Sequence, residues 1–275
     1  MIATVTDSAA NVPPEVAREL GIGVVPIHLR FGPDIYRDGV DLVGGDFYEQ
    51  LARDERAAST SAPSPGDFLE AYRASGADEV LCVTLSSGVS VAHHEATLAA
   101  ERFEGRVEVV DSHSATMGEG FVAIEAARAV RDGASLEEAA ARARDVASRT
   151  RVFGAIETFE FLRKSGRVNK LQAYAAAMLD IKPVFRLRDG EIGPVARPRT
   201  RSRALARIVE ETLKDVGDRP VHLAAFHARA EADAKELVRR IEAEASVVET
   251  FIVDSTPAIG AHTGPGLVGV AFFCD

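Results

Sequence analysis

The sequence contains little cysteine and has no excess of positive charge. Its 275 residues include only two cysteines, Cys82 and Cys274, which are far apart in the chain. Two such cysteines form neither a disulfide framework nor a cysteine zinc site, and they fit a reducing cytoplasm. Acidic residues outnumber basic residues by 42 to 32, which gives a net charge of -10. This balance argues against a nucleic-acid-binding protein, whose affinity depends on cations that neutralise phosphates.

Long apolar runs and a signal peptide are also missing. No segment approaches the roughly 18 apolar residues that span a bilayer, and runs such as 173–179 and 267–273 are of a length that suits a protein core. The N-terminal residues 2–8 do not combine a basic region with a following apolar stretch. We therefore expect a soluble, cytoplasmic protein without a membrane-spanning segment.

Motifs for ATP and metal binding are missing as well. The sequence has no Gly-x-x-x-x-Gly-Lys phosphate loop, and His93-His94-Glu95 lacks the spacing of a metal motif. Adjacent histidines on a helix point about 100° apart, so they do not converge on one ion. We expect neither a metal nor a cofactor.

The order of strand and helix signals predicts an α/β protein with two lobes. Strands and helices alternate through the first half, which favours a parallel sheet. In the second half, Asp189-Gly190 between two β-branched runs predicts a hairpin in a mixed sheet. We place the boundary near 149–151, so that a parallel domain 1–150 and a mixed domain 151–275 would enclose a ligand cleft.

Polar residues follow three of the predicted strands, in segments 6–8, 85–87 and 111–112. The carboxyl ends of parallel strands line the ligand crevice of open α/β sheets. Residues 86–90 also lead into a predicted helix, whose N-terminal amide groups attract anions, and Ser90 could add a donor there. The serines could equally serve only as helix caps.

A weak esterase pattern gives an alternative. Gly88-Val89-Ser90-Val91-Ala92 is close to the Gly-x-Ser-x-Gly nucleophile elbow, and Ser90, Asp254 and His262 follow the chain order of α/β-hydrolases. Ala92 replaces the last glycine, and no oxyanion motif precedes the serine. A soluble adaptor with a vestigial cleft is a further alternative.

Two other segments carry chemistry in the second half. Arginines at 197, 199, 201 and 203 would project on one face of an extended chain, which suits a phosphate or an acidic partner, although a solvated edge gives the same spacing. Segment 262–266, His-Thr-Gly-Pro-Gly, predicts a rigid turn that either presents an imidazole or is purely structural.

Taken together, short motifs in a fixed order resemble the DegV family of bacterial fatty-acid-binding proteins over nearly the whole chain. These motifs are Thr6-Asp7-Ser8, Thr60-Ser61-Ala62-Pro63-Ser64-Pro65, Ser86-Ser87-Gly88-Val89-Ser90, Val110-Asp111-Ser112 with Gly118 and Gly120, Phe161-Leu162-Arg163-Lys164-Ser165-Gly166-Arg167, Ile181-Lys182-Pro183-Val184, Arg199-Thr200-Arg201, and His262-Thr263-Gly264-Pro265-Gly266.

The resemblance implies a two-lobed α/β fold with a long-chain fatty acid buried between the lobes. Studied members are the acyl-carrying subunit of a bacterial fatty acid kinase, whose partner kinase supplies ATP and converts the carboxyl group to an acyl phosphate. The chain would then be a carrier without catalytic residues, with a fatty acid as its ligand and the kinase as its partner.

The resemblance also assigns roles to individual residues. It implies that Thr60, Ser61, Ser90 and His262 bind the fatty-acid carboxylate. It assigns Ser87, Gly88 and Arg167 to the surrounding loops, and it implies that Arg199 and Arg201 face the kinase or its phosphates. The sequence departs from the family pattern at Val91, where glycine is usual, and at Ser165, which replaces the first glycine of Gly-Gly-Arg.

Overall fold

A computed structural model describes residues 1–53, 58–166 and 181–275. Helices and strands of this part alternate in an α/β arrangement. The strands are β1 (Ile2–Asp7), β2 (Ile22–Val25), β3 (His28–Phe31), β4 (Asp34–Arg37), β5 (Ser59–Ser61), β6 (Glu79–Thr84), β7 (Arg106–Asp111), β8 (Arg151–Ala155), β9 (Val184–Arg188), β10 (Glu191–Ala196), β11 (Val221–His227), β12 (Val247–Asp254) and β13 (Val268–Cys274). The helices are α1 (Pro14–Leu20), α2 (Gly44–Arg53), α3 (Pro65–Ala74), α4 (Ala92–Ala100), α5 (Met117–Arg131), α6 (Leu136–Arg149), α7 (Glu160–Lys164), α8 (Arg201–Val216), α9 (Glu231–Glu242) and α10 (Pro257–Thr263). An alanine-rich helix predicted for 170–179 lies outside the described residues.

The N-terminal part contains a four-stranded parallel sheet with the strand order β2-β1-β6-β7. Residues 80–83 of β6 are all buried, because helices cover both faces of the sheet. The parallel sheet predicted from the alternating pattern is therefore confirmed.

The C-terminal part contains a six-stranded mixed sheet with the order β10-β9-β8-β13-β11-β12. Strands β11 and β12 are parallel, and the other neighbours are antiparallel. The predicted hairpin is β9–β10. Its turn residues Asp189 and Gly190 have φ values of 51° and 78°, the left-handed conformation that a tight two-residue turn requires.

A third sheet, with the order β4-β3-β5, was not foreseen. The sequence predicts a single strand over 24–31, but the chain breaks at Pro26, which has no backbone N–H for a sheet ladder. Segment 59–66, predicted as a loop, supplies β5, in which Thr60 pairs with Leu29 of β3. This pairing fixes the position of Thr60.

Three further boundaries differ from the sequence-based expectation. Helix α3 is capped by Ser64 rather than by Asp67, which sits at its third position and completes a capping box. The predicted turn at His262 is instead the last turn of α10, a short helix with Pro257 at its start. Helix α8 begins at Arg201, so the row of arginines does not lie along one extended face.

Helix α5 packs between the parallel sheet and the mixed sheet. Its residues 117–127 are all buried. One hydrophobic cluster therefore joins Val5 of the first sheet, Phe121 of α5 and Phe273 of the second sheet. Strand β8 begins at Arg151, at the predicted boundary, but the division into two lobes remains a prediction because the core runs across it.

Candidate functional site

A cavity of about 630 Å³ lies where the three sheets meet, a volume in the usual range for small-molecule sites. Its described lining residues include no Asp, Glu, Lys or Arg. The lining residues are Ala9, Ile27, Thr60, Ser61, Ala62, Leu85, Ser87, Val89, Ser90, Val91, Ala115, Thr116, Val152, Leu162, Ser165, Gly166, Phe185, Leu187, Ile192, Phe226, Ala258, Ile259, His262, Thr263 and Leu267. This neutral and mainly apolar wall suits a ligand with a large hydrocarbon part.

Thr60 and His262 form a polar pair in the cavity wall. The Thr60 hydroxyl lies 2.7 Å from Nε2 of His262, and the direction of this hydrogen bond depends on the imidazole tautomer. Strand β5 holds the threonine, and α10 holds the histidine in its last turn. A hydroxyl can donate one hydrogen bond and accept others, so the pair can also bind a polar ligand group.

Ser90 reaches the same cavity from the loop between β6 and α4. Helix α4 begins at Ala92, later than the position after Gly88 that the sequence suggests. The Ser90 hydroxyl accepts a hydrogen bond from the Ala92 N–H at 3.1 Å, which leaves its own proton available to an acceptor in the cavity. Val91, the departure from the family pattern noted above, is 60% exposed and has φ -88° and ψ 2°, and this negative φ does not require a glycine.

The same loop shows why a glycine is needed at position 88. A Cβ atom on Gly88 would lie 2.2 Å from the carbonyl oxygen of Gly190, at the tip of the β9–β10 hairpin. The Gly190 N–H in turn donates to the His113 carbonyl at 2.9 Å. Gly88 therefore acts by letting the hairpin approach. Ser87 is exposed at the cavity edge, and its N–H donates to Asp111 at 3.2 Å.

Asp7, which the sequence placed near a ligand crevice, instead lies buried behind the cavity wall. Its carboxylate accepts hydrogen bonds from the Ala9 N–H at 3.0 Å and the Leu85 N–H at 2.9 Å. Because Ala9 and Leu85 line the cavity, these two hydrogen bonds to Asp7 connect two segments of the cavity wall and stabilise their positions. The expectation that segment 6–8 faces a ligand was wrong for this side chain.

Buried carboxyl groups form a connected set behind this wall. Burial raises the pKa of Asp7 to about 6, and it raises the pKa of Glu119 well above its ordinary value, with the charge of Asp7 adding to the effect. Thr6 donates to Glu119 at 3.2 Å, and a protonated Glu119 can donate to Asp7. Burial also raises the pKa of Asp38 to about 6, and this group accepts from Ser8 at 2.6 Å.

Of the two arginines assigned to a partner surface, one makes internal contacts. Arg201 is 23% exposed, and it donates to Asp233 at 2.8 Å and to the Gly266 carbonyl at 2.6 Å. These bonds join α8, α9 and the loop before β13. Arg199 is exposed. Arg167 lies outside the described residues.

The alternative triad is not assembled. A triad needs the aspartate against the histidine and the histidine against the serine. Asp254 is 51% exposed, and it lies 3.4 Å from Nδ1 of His227, whereas Nε2 of His262 is bonded to Thr60. Ser90 stands several residues beyond the end of β6, away from a strained strand-to-helix elbow.

Three polar residues that line the cavity were not predicted as site residues from the sequence: Thr116, Ser165 and Thr263. Ser165 and Thr263 are members of the recognised motifs, so their motifs could have indicated them. Thr116 lies between the matched positions, and only the turn before α5 brings it to the cavity.

The described ranges lack the side-chain clusters of a metal site and the helices of a membrane span. No group of three or more His, Cys, Asp or Glu side chains in these ranges could hold a metal ion. None of the helices there is long and apolar enough to cross a membrane.

Known proteins resemble the chain over its full length. A DegV domain-containing protein of Streptomyces coelicolor is 33% identical, with 98% of this chain and 97% of that protein covered. The structure of a DegV family protein from Thermus thermophilus, described by its fatty acid binding, is 30% identical, has a TM-score of 0.93 and covers 100% of this chain and 99% of its own. The structure of DegV from Bacillus subtilis, described as a fatty acid binding protein, is 27% identical, with a TM-score of 0.88 and coverage of 100% and 99%.

The family model described as an uncharacterised protein of the DegV family matches residues 1–275. The curated relatives and the solved structures agree with this match in both sequence and fold. The chain therefore belongs to the DegV family.

Proposed function

We propose that the protein binds a long-chain fatty acid in the cavity, with the carboxylate at a cluster of hydroxyl groups and one imidazole. This cluster, the head-group cluster, consists of Thr60, Ser61, Ser90 and His262. The observation that carries the proposal is the cavity of about 630 Å³, whose described lining is mainly apolar and contains these polar groups. The proteins from Thermus thermophilus and Bacillus subtilis, which are described as fatty acid binding, support it.

Burial of the chain supplies the affinity, and hydrogen bonds offset the cost of the carboxylate. Each buried CH₂ contributes about 0.8 kcal/mol, so a long acyl chain contributes on the order of 10 kcal/mol. A buried carboxylate is costly unless it is hydrogen-bonded. Ser90 meets this need because its oxygen already accepts from Ala92, which leaves its proton for the ligand.

The proposal extends to a carrier role without catalytic residues or a cofactor. In this role the cytoplasmic protein would present the carboxylate to a partner kinase, which supplies ATP and forms the acyl phosphate. The family resemblance supports the kinase. Arg199 is exposed and is the better candidate for kinase contact, because Arg201 is held by Asp233 and Gly266.

Solvent extraction and mass spectrometry of the purified protein test lipid binding directly. We expect a stoichiometric free fatty acid in the extract. Protein free of lipid that also fails to take up added fatty acid would overturn the proposal.

The Ser90→Ala variant tests the head-group cluster. Loss of a hydrogen bond to a charged group costs about 1.5–3 kcal/mol, which corresponds to roughly tenfold to a hundredfold weaker binding. Ser59→Ala is the matched control, because Ser59 lies on β5 but does not line the cavity. Thermal unfolding checks that both variants fold, and full affinity in Ser90→Ala would contradict the assignment of Ser90.

A further inference from the structure

Helix α10, which carries His262, is held at its start by a residue from the N-terminal part of the chain. The N–H of Ala258, in the first turn of the helix, donates to the Asp38 carboxylate at 3.2 Å, although 220 residues separate the two in the chain. Thr256, the residue before the helix, makes no side-chain cap bond. Asp38 therefore takes the capping role that a side chain immediately before a helix usually has.

The position of Asp38 is fixed by bonds that do not involve this helix. Its backbone N–H donates to the Ile27 carbonyl at 2.8 Å, and the residue forms a β-bridge with Leu42. Its second carboxylate oxygen accepts from the Ser8 hydroxyl at 2.6 Å, and that hydroxyl accepts from the Ile27 N–H at 3.0 Å. The residue is only 2% exposed. Asp38 is thus a fixed point to which α10 is attached.

Helix α10 depends on such an attachment because it is short. It has seven residues, and isolated helices of fewer than about 12 residues are marginal in water. Ala258 and His262 are four residues apart, so they lie on the same face of the helix, and both line the cavity. The capped N–H and the imidazole are therefore about one turn apart, and a shift of the first displaces the second.

Asn11 holds the chain just before the helix. Its side chain donates to the Asp254 carbonyl at 2.8 Å and accepts from the Thr256 N–H at 3.3 Å. Both bonds are made before Pro257, the first residue of α10, so they fix where the helix begins. The bond to Asp38 is made inside the first turn, and it adds a constraint on the direction in which the helix runs.

We propose that Asp38 is a positioning residue for fatty-acid binding, which acts through α10 to hold the imidazole of His262 at the head-group cluster. The inference rests on the proposed fatty-acid function and adds to it a residue that does not itself line the cavity. With the cap in place, Nε2 of His262 lies 2.7 Å from the Thr60 hydroxyl. Without the cap, the helix can tilt, and the imidazole loses its alignment with Thr60 and with the carboxylate of the ligand.

A double-mutant cycle on the affinity for a fluorescent fatty acid tests whether Asp38 acts through His262. His262→Ala should weaken binding by about tenfold, which corresponds to the loss of one hydrogen bond to a charged group. Asp38→Ala in the wild-type chain should weaken it by about threefold to tenfold. In the His262→Ala background, Asp38→Ala should change the affinity by less than about twofold, because the side chain that it positions is gone.

Asp38→Asn tests whether the hydrogen bond to α10 is the cause. Its amide oxygen can still accept from the Ala258 N–H, and its amide nitrogen can donate to the Ser8 hydroxyl. This variant should therefore recover most of the wild-type affinity. An Asp38→Asn variant that binds as weakly as Asp38→Ala would overturn the inference.

Two controls separate the position of the imidazole from the stability of the fold. Ser135→Ala removes the serine of the capping box of α6, which does not line the cavity, so it should lower stability without a change in affinity. Urea unfolding checks that each variant is folded. Asp38→Val fills the space of the side chain without accepting a hydrogen bond, and it replaces Asp38→Ala if that variant does not fold.

Folded Asp38→Ala or Asp38→Val with wild-type affinity would overturn the inference and leave the proposed function intact. An equal loss of affinity in the wild-type and His262→Ala backgrounds would also overturn it, since Asp38 would then act independently of the imidazole. A His262→Ala variant that binds as tightly as wild type would remove His262 from the head-group cluster, and the inference with it. Failure of wild type to bind any fatty acid would instead overturn the proposed function, together with this inference.

Discussion

The Thr60 hydroxyl and Nε2 of His262 lie 2.7 Å apart, although 202 residues separate them in the chain. The bond joins the small antiparallel sheet to α10, two elements that the sequence did not predict. It therefore fixes one wall of the cavity and orients two members of the head-group cluster at once.

Thr60→Val should weaken fatty-acid retention by at least about tenfold, because it removes a hydroxyl that bonds the imidazole and, in the proposed function, also the ligand. Equilibrium binding of a fluorescent fatty acid measures the effect. Thr60→Ser keeps the hydroxyl and should bind nearly as well as wild type. Equal affinity in the valine and serine variants would argue against a role for the hydroxyl.

Gly88→Ala should destabilise the protein and speed the release of lipid. The added Cβ would lie 2.2 Å from the Gly190 carbonyl oxygen, so the β9–β10 hairpin must shift. Such overpacking costs about 1–3 kcal/mol, and Phe185, Leu187 and Ile192 of the hairpin line the cavity. Denaturant unfolding and lipid dissociation rates measure the two effects.

Gly45→Ala is the control for this substitution, because a Cβ atom at Gly45 in α2 meets no atom within 4 Å. The free energy of unfolding and the rate of lipid dissociation should both stay close to the wild-type values. If Gly88→Ala behaves in the same way, the contact with Gly190 does not constrain position 88.

Asp7→Asn should change how stability depends on pH. Burial raises the pKa of Asp7 from 3.8 to about 6, so between these pH values the unfolded chain loses its proton while the folded protein keeps it. This carboxyl group therefore makes wild type progressively less stable as pH rises through that window, by about 3 kcal/mol in total. The asparagine side chain of the variant cannot titrate, and its single carbonyl oxygen accepts only one of the two backbone bonds.

The advantage of wild type over Asp7→Asn in unfolding free energy should thus be largest near pH 4 and should shrink towards pH 7. Urea unfolding across that range measures it. Glu119→Gln is a useful companion, because an amide can accept from Thr6 and donate to Asp7 as the protonated acid does. A difference between wild type and Asp7→Asn that is constant with pH would show that Asp7 is ionised throughout.

Arg201→Ala should destabilise the fold by about 1–3 kcal/mol, since it removes the bonds to Asp233 and to the Gly266 carbonyl. Arg199→Ala changes an exposed side chain close by, so its free energy of unfolding should stay within about 0.5 kcal/mol of the wild-type value. Thermal unfolding compares them. The experiment also shows which arginine can be replaced without damage to the fold in assays with the proposed partner kinase. If Arg201→Ala is as stable as wild type, both arginines can be tested in this way.

The strongest sequence signals correctly indicated the main elements of the fold. The alternation of strand and helix signals indicated the parallel sheet, in which residues 80–83 of β6 are buried, and Asp189-Gly190 indicated the hairpin. Strand β5 has only three residues, and its pairing with β3 is a tertiary contact that local propensity cannot anticipate. Helix α10 has seven residues, a proline and a glycine among them, so its periodic signal was too short to recognise.

The motifs indicate which segments of the chain lie near the site, but they do not indicate which way each side chain points or which groups it bonds. Thr60, Ser90 and His262, which belong to three of the motifs, line the cavity, and their contact with a carboxylate stays a prediction. Asp7 lay in an equally clear motif, but its carboxylate turned out to bond backbone amides behind the wall. The position of Thr116 in the cavity wall could not be predicted, because it depends on a positive φ. A threonine rarely adopts this conformation, and no sequence pattern indicated it.

The burial of α5 between the two large sheets also has a consequence for backbone dynamics. Because residues 117–127 have no exposed face, their amide hydrogens can reach solvent only when a neighbouring element, α6 or one of the sheets among them, separates from the helix. Their hydrogen–deuterium exchange should therefore be among the slowest in the chain, and it should report the free energy of opening the protein as a whole.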